Sequence, residues 1–237
     1  MSGHSHFKTV KATKDANDAK KGKIFSKMGK VITIAVKEGG KDPSSNPRLK
    51  AAIEKAREFN MPKDNIERAI KKGAGELAGE ILENISIEGF GPEGIALIIE
   101  GITDNKNRAL TEIKTILNKY QGKMAGEGAV KWMFQRKGII AIELQNNKEE
   151  LELLAIEAGA EDVIQEDNLF YIHTNPEELE KVKKTLEDKN IKIESSMLGW
   201  IAKEDIEVDE KGKISCQKLF EALDENDDVQ EIYSNLK

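Results

Sequence analysis

Apolar residues recur with a helical period over residues 12–38. On a projection of about 100° per residue, Phe25, Met28, Ile32, Ala35 and Val36 fall on one side and Lys20, Lys23, Lys27, Lys30 and Lys37 on the other. The pattern predicts a helix with an apolar back and a cationic front, broken only where Lys21 lands on the apolar side. Gly39 and Gly40 supply a stop, and residues 41–46 read as a turn-rich link. A second helix opens with Asn46 as N-cap and Pro47 at its first position, and buries Leu49, Ala52, Ile53 and Ala56. A third, short helix starts near Pro62 and Asp64, buries Ile66, Ala69 and Ile70, and ends at Gly73 or Gly75. Three helices with one apolar face each make a small bundle.

Near Ile81 the period changes to two. Ile85 and Ile87, then Ile95, Leu97 and Ile99, read as two strands joined through residues 89–94, followed by a helix over 106–120 that buries Leu110, Ile113, Ile116 and Leu117. Val130, Trp132 and Phe134 alternate with Lys131, Met133 and Gln135 as a third strand. Residues 138–201 read β-α-β-β-α-β, the split arrangement of ferredoxin-like units. The tail, with a helix around 217–223 and a strand around 229–233, supplies what the block at 81–134 lacks. The expected fold is therefore α+β and multidomain: a three-helix N-terminal domain followed by two ferredoxin-like α/β domains, one of them discontinuous. Expected boundaries are 1–78, 79–136 with 204–237, and 137–203 as the inserted unit.

Charge divides the chain in the same place. Residues 1–75 hold 18 Lys or Arg against 8 Asp or Glu, net +10, whereas the remaining 162 residues hold 19 against 35, net −16. A formal net charge of −6 conceals this segregation, which points to a polyanionic partner at the N-terminal end. On the same ground the acidic part is expected to be repelled by phosphate, leaving the lysine face toward the polyanion while its own acidic surfaces face away or meet a basic protein. The single cysteine, Cys216, excludes an internal disulfide framework and favours a reducing compartment. No apolar run reaches the roughly 20 residues of a bilayer span, and residues 1–14 lack an apolar signal core, so the expectation is a cytoplasmic protein without a membrane partner.

Candidate chemistry is sparse. Gly89, Gly91 and Gly94 have dinucleotide-loop spacing, but a strand follows where a phosphate-binding helix would begin, and Pro92 sits in the turn. His4 and His6 are two ligands without a third, and Asp224, Asn226 and Asp228 resemble a calcium loop with Val229 where glycine is needed; no metal or cofactor is expected. The turn at 224–228 reads as a solvated acidic loop. His173 lies in a strand pattern and Cys216 has no base in sequence beside it, so no catalytic residue is assigned and the chain is not expected to be an enzyme. Residues 103–108 end a strand and open a helix, a place where backbone N–H groups bind phosphate, or where Asp104 or Asn105 caps the helix.

Several motifs in order resemble the YebC/PmpR family, which includes the mitochondrial translational activator TACO. They are Gly3-His4-Ser5, Lys23-Ile24-Phe25, Asp42-Pro43 with Asn46-Pro47-Arg48-Leu49, Asn60-Met61-Pro62-Lys63-Asp64 with Arg68-Ala69-Ile70, Glu88-Gly89-Phe90-Gly91-Pro92 and Thr103-Asp104-Asn105 with Asn107-Arg108. The likeness runs through essentially the whole chain, with departures at Phe7, Ala109 and Ala129. It implies three domains and a cytoplasmic regulator, described in the family as a probable transcriptional regulator that binds DNA. It also implies a second role on the ribosome, easing synthesis of proline-rich stretches. DNA and ribosomal RNA offer the same phosphate chemistry to lysine. The expected nucleic-acid contacts are His4, Lys8, Lys11, Lys14, Lys20, Lys23, Lys27, Lys30, Arg48, Lys106 and Arg108, in a chain taken as monomeric.

Overall fold

A computed structural model describes residues 18–143, 148–166 and 168–237. Helix α1 spans Asp18–Gly39, α2 Pro47–Glu58 and α3 Lys63–Gly73. Met28, Ile32, Ala35 and Val36 of α1 pack on Leu49, Ala52, Ile53 and Ala56 of α2 and on Ile66 and Ala69 of α3. Each fully buried Ile or Leu in such a core contributes roughly 1.5–3 kcal/mol. Asn46 fixes the α1–α2 corner. Its Oδ1 accepts from the Leu49 amide at 3.0 Å, and its Nδ2 donates to the Ala35 and Gly40 carbonyls at 2.8 Å each.

The first sheet contains β1 (Glu83–Phe90), β2 (Ala96–Thr103), β3 (Lys123–Met124) and β8 (Val229–Ser234) in the order β3-β1-β2-β8. Helices α4 (Lys106–Lys119) and α7 (Glu210–Asp224) cover one face, meeting Ile85, Ile87, Leu97 and Ile99. Gly89 lets the two-residue β3 join the edge, because a Cβ there would lie 2.9 Å from the Lys123 carbonyl. The second sheet takes β4 (Phe134–Glu143), β5 (Asp162–Glu166), β6 (Leu169–Thr174) and β7 (Ile193–Ala202) in the order β5-β6-β4-β7. Its helices α5 (Lys148–Ala158) and α6 (Leu179–Asp188) pack on Ile140, Ile142, Phe170 and Ile172. This is the ferredoxin-like order expected from the pattern. All pairings in both sheets are antiparallel.

The first sheet's other face meets the second sheet. Ala96, Ile98 and Tyr233 pack there with Val130, Phe134, Met197 and Trp200, so β2 is buried on both sides and reads as nearly continuous apolar sequence. The strand expected at 130–135 is not formed: Lys131–Met133 is a 3₁₀ turn, and Phe134 opens β4. Residues 134–136, expected to close the first α/β unit, pair instead with β7 of the second sheet, Phe134 opposite Ala202. Period-two alternation cannot distinguish a strand from a single turn that happens to alternate, and Trp132 ends up 67% exposed rather than inward.

Candidate nucleic-acid interface

Lys23, Lys27 and Lys30 lie at i, i+4 and i+7 of α1, on one face as the projection requires. That face is only partly open to solvent: Lys23 stays exposed, whereas Lys27 is buried and Lys30 half-buried. It is docked along the C-terminal end of α7 and the turn that follows. Lys27 Nζ donates to the Asp224 carbonyl at 2.5 Å and to its Oδ1 at 3.2 Å. Lys23 reaches the Glu225 carbonyl at 3.2 Å, and Lys30 reaches the Asp227 carbonyl at 3.0 Å and Asp228 Oδ1 at 2.6 Å. The last carbonyls of a helix have no partner within it and carry the negative end of its dipole, so ammonium groups are favoured there. Lys27 is only 7% exposed.

Asp228 is the centre of this contact. Its carboxylate is buried and also accepts from Thr103 Oγ1 at 2.9 Å and Arg108 Nη2 at 3.0 Å, while its amide donates to Asn226 Oδ1 at 3.0 Å. Burial would raise its pKa. The hydrogen bonds from Lys30, Arg108 and Thr103 outweigh burial and hold it below the usual carboxylate range. Arg108 bonds Asp104 at 2.6 Å as well, and these two carboxylates hold its guanidinium charged. Three elements thus converge on one acid: α1 through Lys30, the start of α4 through Arg108, and the end of β2 through Thr103.

One expectation is corrected here: the turn at 224–228 is not a solvated acidic loop, since Asp228 is 2% exposed. At residues 103–108 the cap is the alternative that forms: Asn105 Oδ1 caps α4 by accepting from the Arg108 amide at 3.1 Å, and the Arg108 side chain is engaged by carboxylates. Lys106 is exposed and makes no ion pair with a described carboxylate within 4.0 Å. Arg48 pairs with Glu38, whose other oxygen accepts from Asn84 at 2.8 Å. His4, Lys8, Lys11 and Lys14 lie outside the described residues, as does the side chain of Lys20.

Sequence reasoning missed a second cationic face. Arg68, Lys71 and Lys72 on α3 are exposed and form no ion pair with a described carboxylate. Arg68 and Lys72 line a groove of about 450 Å³ between α1 and α3, whose α1 wall carries Gly22, Ser26 and Gly29. The signal was available, because Ile66 and Ala69 define the buried stripe of α3 and place these three residues away from it.

The titratable groups away from the interface are sequestered. Cys216 is buried, and burial, with Glu93 adding to it, pushes its thiol up to about 11, so the nucleophilic thiolate is scarce. His173 is buried within β6. No group of His, Cys, Asp and Glu able to hold a metal ion occurs among the described residues, and no described helix is long and apolar enough to cross a membrane.

Comparison with known proteins places this geometry. Residues 5–76 match the TACO1/YebC protein N-terminal domain, and residues 82–236 match the TACO1/YebC second and third domain. Proteins named probable transcriptional regulatory protein are similar over their length: one from Halothermothrix orenii at 47% identity, covering 99% of this chain and 94% of the relative. Another from Trichlorobacter lovleyi has 45% identity over 99% and 95%. A crystal structure of a conserved hypothetical protein from Aquifex aeolicus superposes with a TM-score of 0.88 at 42% identity, covering 96% of this chain and 95% of that one.

Proposed function

This chain belongs to the TACO1/YebC family, and on that premise we propose that it is a regulatory protein that binds nucleic acid, DNA first, through phosphate contacts made by its basic N-terminal helices. The observation that carries the reading is the concentration of +10 in residues 1–75 against −16 in the rest. Phosphate binding needs cations that are not already paired, and on the described surface α3 supplies them in Arg68, Lys71 and Lys72. Lys23, Lys27 and Lys30 serve a different purpose in this conformation, holding α1 on the acidic turn. They join the phosphate surface only where a polyanion displaces that turn. Lysine predominates over side chains suited to base edges, so sequence specificity is weak and contacts are mainly to backbone.

Ribosomal RNA is the second reading, favoured by an exposed aromatic ring, Trp132, in the basic stretch 113–138, where Lys123 lies over Phe90 and Lys131 over Trp200. Gel shift with random-sequence duplex DNA, beside cosedimentation with ribosomes at matched salt, tests both. Wild type is compared with the triple variant Arg68→Gln, Lys71→Gln, Lys72→Gln, whose positions are exposed and leave the fold intact. Weaker binding by the variant on every duplex sequence supports the DNA reading, and weaker binding on ribosomes alone supports the second. Undiminished binding on both removes α3 from the interface, and a wild type that binds neither overturns the nucleic-acid reading.

A further inference from the structure

Between residues 113 and 138 the chain carries six Lys or Arg and a single acid, Glu127, within a part of the molecule that is otherwise acidic. The same stretch exposes Trp132 to 67%. Loop 125–133 that presents it is held rigidly. Glu88 of β1, a buried carboxylate, accepts from the amides of Gly128 at 2.6 Å, Val130 at 2.7 Å and Lys131 at 2.8 Å. Burial would raise its pKa, and the three N–H donors more than offset that, so the carboxylate stays charged. The indole is fixed in turn by Nε1 donating to the Ala129 carbonyl at 3.1 Å.

Two cations of the same stretch lie over other aromatic rings. Lys131 lies 5.0 Å over the ring of Trp200 and Lys123 lies 5.4 Å over Phe90, and both of those rings pack on the apolar cluster between the two sheets. Neither lysine makes an ion pair with a described carboxylate within 4.0 Å. A large aromatic face left in water is unfavourable unless something covers it, and its position on a braced loop means little ordering entropy is lost when that happens.

We propose that Trp132 is a stacking platform for an unpaired base of single-stranded nucleic acid, with Lys123 and Lys131 of the same basic stretch meeting the adjoining phosphates. This rests on the nucleic-acid reading and extends it to a second, strand-selective contact remote in sequence from the N-terminal helices. Stacking on an aromatic ring is open to every base, whereas a base inside a duplex has no free face to offer. The positive local charge selects this occupant over a basic protein segment, and the two lysines, which form no ion pair within 4.0 Å with a described carboxylate, supply the backbone contacts that such grooves use.

Titration of the full chain with short oligothymidylate and with a random-sequence duplex, read by oligonucleotide anisotropy, tests the proposal. Trp132→Ala should weaken single-strand binding by roughly tenfold or more and leave duplex binding unchanged, while Trp132→Phe keeps most of the affinity. Lys123→Gln should reduce the slope of log K against log salt by about one for the single strand. Equal single-strand affinity for wild type and Trp132→Ala overturns the proposal and assigns the surface to a protein partner. So does an equal loss in the Ala and Phe variants, which would mean the ring only braces its loop. A wild type that binds duplex and not the single strand defeats this inference alone, and one that binds neither defeats the nucleic-acid reading with it.

Discussion

Asp228 ties the N-terminal helices to the first sheet. It is a buried carboxylate whose partners come from three separate elements, so removing its charge leaves Lys30 and Arg108 without their shared acid. Arg108 is partly solvated, which reduces the loss, and Asp228→Asn should destabilise by about 2 kcal/mol in denaturant titration. The pH dependence has a definite sign. In the folded state the carboxyl titrates below its ordinary 3.8, so the unfolded chain takes up the proton first as pH falls. The stability it contributes is complete above that ordinary value and is lost as pH drops through the folded one. Melting curves of wild type and Asp228→Asn should therefore converge below about pH 4. Glu88 is a second such residue, with three amide donors on one carboxylate. Glu88→Gln should cost about 2 kcal/mol and make loop 125–131 the first site of proteolysis.

At the scale of an element, α1 differs most from its reading in sequence. Its apolar stripe was legible, since Met28, Ile32, Ala35 and Val36 are buried as the period requires, and so were the Asn46 cap and the ferredoxin-like order of β4 to β7. The fate of its lysine face was not. Periodicity gives the face on which a charge lies and its sign; the partners of Lys23, Lys27 and Lys30 sit about two hundred positions away, on a turn that local pattern presents as solvated. Trp132 was misread for a related reason, because alternation over 130–135 was satisfied by a turn braced from β1. Replacing Lys23, Lys27 and Lys30 together by glutamine is therefore expected to disturb the fold rather than spare it. Hydrogen exchange should rise over residues 224–228 and along α1, with a lower melting temperature, while the α1–α2–α3 core stays protected. Unchanged exchange at 224–228 would show those contacts to be energetically idle.

At the scale of the whole molecule, two opposed charges share one chain and meet at a seam. Part of the N-terminal positive charge is neutralised there by the acidic turn, and part remains open on α3. On the proposed reading, a nucleic acid approaching the basic end would engage the open cations first and compete with the turn for the rest, which would couple binding to undocking of α1. On the proposed function, affinity for nucleic acid comes chiefly from phosphate contacts by the N-terminal helices. The most direct measurement is the slope of log K against log salt for the full chain on random-sequence duplex, with and without Arg68→Gln, Lys71→Gln and Lys72→Gln. A steep negative slope is expected, becoming shallower by about one for each phosphate contact removed. A flat slope for the wild type, or an identical slope in the triple variant, would contradict it.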